Sequence, residues 1–250
     1  MSPFDDPALL ALALGRTAGW VATVPIFGPI RISATGRIAL AVALALFVAG
    51  SAETAPTPTD VGPFALVLSG QVLYGLLLGW LTSLVVATFE AAGGVIDALG
   101  GFSIGAVLDP STGTQNAVFA RFFQFVLVAA ILLSNAHMMI VGGFLRSFTV
   151  AGPASLPVIG ERSLDAVARA TADLLLASLE IGAPLIGALL LAEVAMALAA
   201  RFAPQTNVFL LSLPLKSFIV IALVGNVLVF LPTYTEVITE RTLSLMGTLQ

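Results

Sequence analysis

Long apolar runs with almost no charge inside them constrain this chain more than any motif it carries. The stretch from Pro63 to Phe89 holds no acidic or basic residue. A run of about 20 apolar residues is long enough to cross the hydrocarbon of a bilayer. Several such runs follow one another here, so composition becomes decisive: 58% of the 250 residues are hydrophobic and only 10% charged. Soluble domains carry about a quarter charged residues. The expected class is therefore an all-α membrane protein, or a subunit buried within a membrane assembly. Ten basic residues against fourteen acidic ones give a net charge of −4. No basic stripe is present, which argues against nucleic acid as a partner. Cysteine is absent, which excludes thiolate metal sites, cysteine nucleophiles and disulfides.

Taken in order, the first apolar segment runs from about Ala8 to Phe27. Asp6-Pro7 is a sound helix start, with proline in the first turn and an acid near the positive end of the dipole. Asp5 and Asp6 stand where a signal peptide would be basic, so this helix is expected to be retained. Arg16 interrupts it and implies one face turned away from lipid. A shorter run follows, Ile38 to Ala49, extendable back to Ile30. Beyond the polar loop Gly50 to Gly62, the third helix starts at Pro63 and contains Gly75-x-x-x-Gly79, a groove for close helix packing. Ser163 is the expected cap of a helix reaching Ala199, which Pro184 should kink or split. Arg201, Ala203, Pro204, Gln205 and Asn207 mark a turn into the last apolar helix, Val208 to Leu231, which contains Pro214 and Lys216. Residues 232–250 read as a short amphipathic tail. Six crossings divide the basic residues evenly: Arg31, Arg37, Arg121 and Arg201 on one side, Arg146, Arg162, Arg169 and Arg241 on the other. The positive-inside rule therefore does not orient the chain.

The centre of the chain, Gly93 to Phe148, is different in kind. A glycine-punctuated helical arm (Gly93, Gly94, Gly100, Gly101, Gly105) leads to a polar break at Asp109-Pro110. A long apolar helix with a phenylalanine cluster returns from it. Glycine lets the first arm bend, or lets another backbone come close. Together the parts read as a hairpin able to sit in a confined space such as a pore.

Candidate chemistry is sparse. Gly101-Phe102-Ser103-Ile104-Gly105 matches the G-x-S-x-G pattern, and Ser103, Asp109 and His137 follow hydrolase order. That elbow needs a strand before the serine and a sheet around it. The context is lacking, and Ser103 is expected instead in a glycine-rich helix, bonded to its own turn. An intramembrane serine protease using Ser103 and His137 is the enzymatic alternative. His137 is the single histidine and reads as structural. Asp97, Asp173, Glu180 and Glu193 lie in or near apolar helices, where acids are expensive. They are expected to pair with Arg121, Arg146 or Arg169; a proton path is the alternative. Pro184 and Pro214 would also suit a proton-coupled transporter with discontinuous helices, although no internal repeat supports one.

Four passages, in order, resemble a known family: Val24-Pro25-Ile26-Phe27-Gly28-Pro29 with Ile30-Arg31; Glu90 to Gly94 running into Val107-Leu108-Asp109-Pro110; Ala120-Arg121 through Asn135-Ala136-His137; and Arg201 to Phe209 followed by Leu213-Pro214-Leu215-Lys216. The chain resembles the FliR/SctT family, membrane subunits of the type III secretion export gate. The resemblance implies a non-enzymatic, all-α subunit of helical hairpins without cofactor or metal, in one domain over residues 1–250. Residues 8–199 would be FliP-like and residues 172–231 would include a FliQ-like hairpin. Implied partners are FliP-like and FliQ-like subunits, FlhB-like and FlhA-like export proteins, unfolded substrates and membrane lipid. The implied location is the bacterial inner membrane, in the flagellar basal body or an injectisome. The central stretch would be the family's plug, with Phe102, Ile104, Val107, Leu108, Asp109 and Pro110 closing the pore and the flanking glycines as hinges.

Overall fold

In a computed structural model the described residues are 6–24, 33–51, 56–103, 117–157, 161–203, 205 and 207–248. Among them there is helix and no strand, so the chain is all-α. Seven helices follow in order: α1 (Pro7–Thr23), α2 (Ala34–Ser51), α3 (Val61–Gly100), α4 (Val118–Leu133), α5 (Ala136–Val150), α6 (Glu161–Phe202) and α7 (Val208–Thr248). Among the described residues four helical stretches are long and apolar enough to cross a membrane, five if the bent pair α4–α5 counts as one span, against the six crossings expected.

The start of α1 follows the sequence reading. Asp6 caps it, accepting hydrogen bonds from the amides of Ala8 and Leu9, with Pro7 in the first turn. Three later expectations fail in one direction. The helix expected from Pro63 starts at Val61 and continues past Phe89 and through Gly93-Gly94 to Gly100, a run of 40 residues. Of the kink or split expected at Pro184, the split does not occur: α6 begins at Glu161, before Ser163, and runs for 42 residues. Residues 232–248 are not a separate tail, because α7 continues through Pro214 and Pro232 to Thr248. A helical proline costs about 3 kcal/mol, a penalty that apolar surroundings oppose because they offer freed backbone groups no water as an alternative. The return arm of the central stretch fails in the other direction. It is two helices, broken at Ser134-Asn135, with Asn135 in the left-handed region at φ 59°.

The chain forms two compact units, and the break at Asn135 is one border between them. The first comprises residues 1–85, 135–172 and 238–250; the second comprises 86–134 and 173–237. In the first unit α1 and α3 meet through glycines. A Cβ on Gly19 would lie 2.6 Å from the Val72 carbonyl oxygen, and one on Gly75 would overlap the Arg16 backbone. Gly19 and Gly75 thus bring α1 and α3 together backbone against backbone, with Gly79 against Trp20 and Thr23 and Gly15 against the Leu68 and Val72 side chains. Gly75-x-x-x-Gly79 was legible as a motif; the glycines of α1 were not singled out. Helix α2 also packs on α1. It turns Ala41, Ala45 and Ala49 inward and leaves Ile38, Val42 and Phe47 exposed. Small residues inside and bulky apolar ones outside suit a helix in lipid.

In the second unit the core gathers Phe89 and Ile96 of α3, Phe123, Leu127 and Ile131 of α4, Leu185 and Leu189 of α6, and Val220 and Val227 of α7.

Candidate functional site

The candidate site lies where α3 ends and α4 begins, at the two feet of the polar segment in the middle of the chain. Helix α3 stops at Gly100 because Gly101 adopts a left-handed conformation, φ 83°. The amides of Phe102 and Ser103 turn back onto the carbonyl oxygen of Asp97, at 3.0 and 3.3 Å. The first of these bonds is the Schellman closure expected of a glycine just past a helix end.

The start of α4 poses the opposite problem. Its first amides have no partner within the helix, and the cap position holds Ala117, which has no side-chain acceptor. Asp97 supplies what is missing. Its Oδ1 accepts from the Phe119 amide and its Oδ2 from the Ala120 amide, both at 3.0 Å. The side chain is buried, with 1% of its surface exposed. One residue therefore closes both helix ends, the first through its main chain and the second through its side chain.

Gly93 makes this reach possible. It lies one turn before Asp97 on the same face of α3. A Cβ there would sit 2.5 Å from the Ala120 Cα. Without that side chain the two backbones approach closely enough for a short aspartate to touch the α4 amides. Of the two roles open to Gly93, close approach is the one its surroundings require. A Cβ on Gly94 would meet nothing. Phe102 packs edge-on against Phe119, ring centroids 5.0 Å apart, so an apolar contact joins the same two feet. Gly100 and Gly101 lie beneath Phe102, Val220 and Leu213. Ile104, Gly105, Val107, Leu108, Asp109 and Pro110 lie outside the described residues.

The nucleophile-elbow pattern gains no support from this setting. A helix precedes Ser103 where a strand is needed, and Ser103 sits in the turn beyond Gly100 rather than within a helix. The acids do not pair as expected either. Asp97 binds backbone amides, and Glu193 of α6 bonds Lys216 of α7 at 2.9 Å. Asp173 and Glu180 are exposed on α6, as Arg121, Arg146 and Arg169 are on their helices. At the turn between α6 and α7, Arg201, Ala203, Gln205 and Asn207 are exposed, and Pro204 lies outside the described residues. Asn207 caps α7, its carbonyl oxygen accepting from the Leu211 amide at 3.2 Å. Pro214 is exposed within α7.

The first unit carries a second buried polar centre. Arg16 is fully buried, as its place in an apolar run implied. Its Nε donates to Gln71 Oε1 at 2.6 Å, one terminal nitrogen to the Ser147 carbonyl at 2.8 Å and the other to the Ala151 carbonyl at 2.8 Å. The guanidinium also stacks over Phe148, 4.2 Å from the ring centroid. Gln71 continues the network, donating to the carbonyls of Gly152, Pro153 and Ser155. The loop after α5 is thereby tied to α1 and α3. Trp20 stacks on Phe144 beside it, at 4.3 Å.

These features define an all-α membrane protein whose buried charges are satisfied mainly by neutral groups and whose centre is a polar segment rooted at one aspartate. Residues 8–242 match the family described as bacterial export proteins, family 1, and the chain belongs to that family. It is 30% identical to the flagellar biosynthetic protein FliR of Bacillus subtilis over 227 residues, covering 89% of this chain and 87% of the relative. It is 26% identical to FliR of Escherichia coli, covering 92% and 85%. It is 28% identical to the Yop proteins translocation protein T of Yersinia pestis, covering 73% and 71%. The FliR/SctT resemblance read from the four sequence passages is thus established, and with it a place among type III export apparatus proteins.

Proposed function

We propose that this chain is a structural, non-enzymatic subunit of a type III export gate in the bacterial inner membrane. It assembles there with FliP-like and FliQ-like subunits, alongside FlhB-like and FlhA-like proteins, and unfolded substrates pass through the assembly. The flagellar basal body is the favoured setting, because the match covers 89% of this chain with a flagellar relative and 73% with an injectisome one. The segment from Gly100 to Asn116 is the plug. A pore that passes a polypeptide yet holds back ions when idle needs a displaceable apolar constriction, which closes by excluding water. Phe102 and the apolar residues after it supply the bulk for that seal.

The observation that carries the reading is the rooting of this segment. Phe102 and Ser103 at the end of α3 and Phe119 and Ala120 at the start of α4 all bond Asp97, which supports the reading of a segment held at both ends. Broad apolar faces on α6 and α7 agree with a subunit made for neighbours: Leu176, Leu191, Leu198, Leu211, Phe218 and Ile221 are all exposed. The test is purification of a tagged copy from its own membranes in mild detergent, followed by native mass spectrometry. Recovery in a hetero-oligomer with FliP-like and FliQ-like chains is expected. A stable monomer or homodimer that binds a small solute would replace the gate by a transporter.

A further inference from the structure

We propose that the outward face of α4 is a docking surface for a helix of a different subunit, one that sets an aspartate or glutamate against Arg121. The inference rests on the export-gate reading above and adds to it one contact of stated chemistry.

Helix α4 has two opposite apolar faces. Phe119, Phe123, Leu127 and Ile131 are buried in the second unit. On the other side Val118, Phe122, Phe125 and Leu132 follow at steps of four, three and seven residues, which lines them up as one stripe. Val118 is 52% exposed and Phe125 56%. Arg121 lies in that stripe, three residues after Val118 and four before Phe125, and is exposed as well. A cation on an apolar surface calls for an anion. Among the described residues none answers it. The ion pair there joins Glu193 to Lys216, Asp97 is taken up by backbone amides, and Asp173 and Glu180 are exposed on α6.

Lipid is a poor occupant for this stripe. Helix α4 is not among the four stretches able to cross a membrane alone, and it meets α5 at a bend of 78°. Arginine beside two phenylalanines is instead the composition of a protein contact, where aromatic residues and arginine are enriched. A guanidinium also takes a carboxylate through two parallel hydrogen bonds. The same face of a second copy is no better than lipid. Helix α4 contains no acid, so two copies meeting face to face leave both arginines unpaired. A different chain, with an apolar helix and one carboxylate at the level of Arg121, satisfies both the stripe and the charge.

The experiment uses the complete complex, purified in mild detergent from its own membranes. Phe125 is replaced by the photo-crosslinker p-benzoylphenylalanine, and the crosslinked peptide is sequenced by mass spectrometry. The expected product joins α4 to an apolar helix of another subunit, with Asp or Glu within about one turn of the attached residue. Arg121→Glu is expected to lower the amount of that subunit recovered with the tagged chain about tenfold, and Arg121→Gln about threefold. Changing the identified acid to lysine in the Arg121→Glu background is expected to restore most of the recovery, which a mere loss of folding would not allow. A crosslink to lipid alone, to a second copy of this chain or to a helix with no acid near the attached residue overturns the proposal. So does unchanged recovery in Arg121→Glu, or recovery that the lysine does not restore. Each of these results leaves the gate reading standing, provided that the complex holds other subunits. If the tagged chain leaves the membrane alone, the gate reading falls and this inference falls with it. Should Arg121→Glu not accumulate, the crosslink and Arg121→Gln decide, and full recovery with the Gln variant overturns the proposal.

Discussion

Among the described residues each of the two compact units buries one charged side chain, and they satisfy it in opposite ways. In the first unit the cation Arg16 sits among neutral acceptors: the Gln71 side chain and two backbone carbonyls. In the second the anion Asp97 sits among neutral donors, two backbone amides. Neither relies on an opposite charge in these bonds. The difference lies in what each charge holds. Arg16 and Gln71 together draw α1, α3, the end of α5 and the loop after it to one point. Asp97 joins only α3 to α4. The first centre is therefore a hub whose loss should loosen a whole unit. The second is a single tie, whose loss should change one junction.

That contrast is breakable in steps. The largest effect is expected from Arg16→Met, which leaves buried carbonyls and Gln71 without their donor. Each buried polar group left without its partner costs about 1–3 kcal/mol, and Arg16 serves three of them. A large fall in the thermal midpoint of the detergent-purified complex, or in the amount recovered, is the expected result. A midpoint near that of the parent would reduce Arg16 from hub to bystander. Next comes Gly75→Ala. Its methyl group would overlap the Arg16 backbone, and forced overpacking costs about 1–3 kcal/mol. Crosslinking between cysteines placed on α1 and α3 would report the separation, and unchanged crosslinking would refute the groove packing. The tie should be milder. Asp97→Asn keeps one acceptor and is expected to lower stability by about 1–2 kcal/mol, less than Arg16→Met in the same melting assay. A loss equal to that of Arg16→Met would erase the distinction between hub and tie. The smallest effect is expected from Glu193→Gln. Its partner Lys216 is bonded, but Glu193 is 58% exposed, and exposed ion pairs contribute about 0–1 kcal/mol. A larger shift would mean that this pair is covered in the assembly.

What the sequence disclosed follows the same division between local and distant effects. The Asp6 cap, the approximate start of α3 near Pro63 and the apolar helices were legible because each depends on residues a turn apart. So was the isolation of Arg16 from lipid, since a cation in an apolar run has few alternatives. The partners of Arg16 and Asp97 were not legible. Charge pairing suggested arginines for the acids, yet the backbone supplied the donors, and the backbone has no signature in sequence. The one available clue was Gly93 one turn before Asp97, which marks a close approach without saying to what. Proline misled for a related reason. Pro184 and Pro232 carry a breaking tendency measured against water, and the apolar lengths of α6 and α7 offer no water to take up the broken bonds. The split at Asn135 had a visible polar notch, but nothing in it announced a left-handed residue.

One consequence of the long helices concerns distance. At about 1.5 Å per residue, the 40 residues of α3, 42 of α6 and 41 of α7 each have an axial length of roughly 60 Å. The hydrocarbon layer of a bilayer is about 30 Å thick, and even a steep tilt does not absorb a twofold excess. Each of these rods therefore has about half its length in excess of what lipid can cover. In α7 that excess is partly polar, since the apolar span is Leu210–Val227 and Glu236, Glu240 and Arg241 follow it. Membrane thickness is thus a poor ruler for the length of these helices.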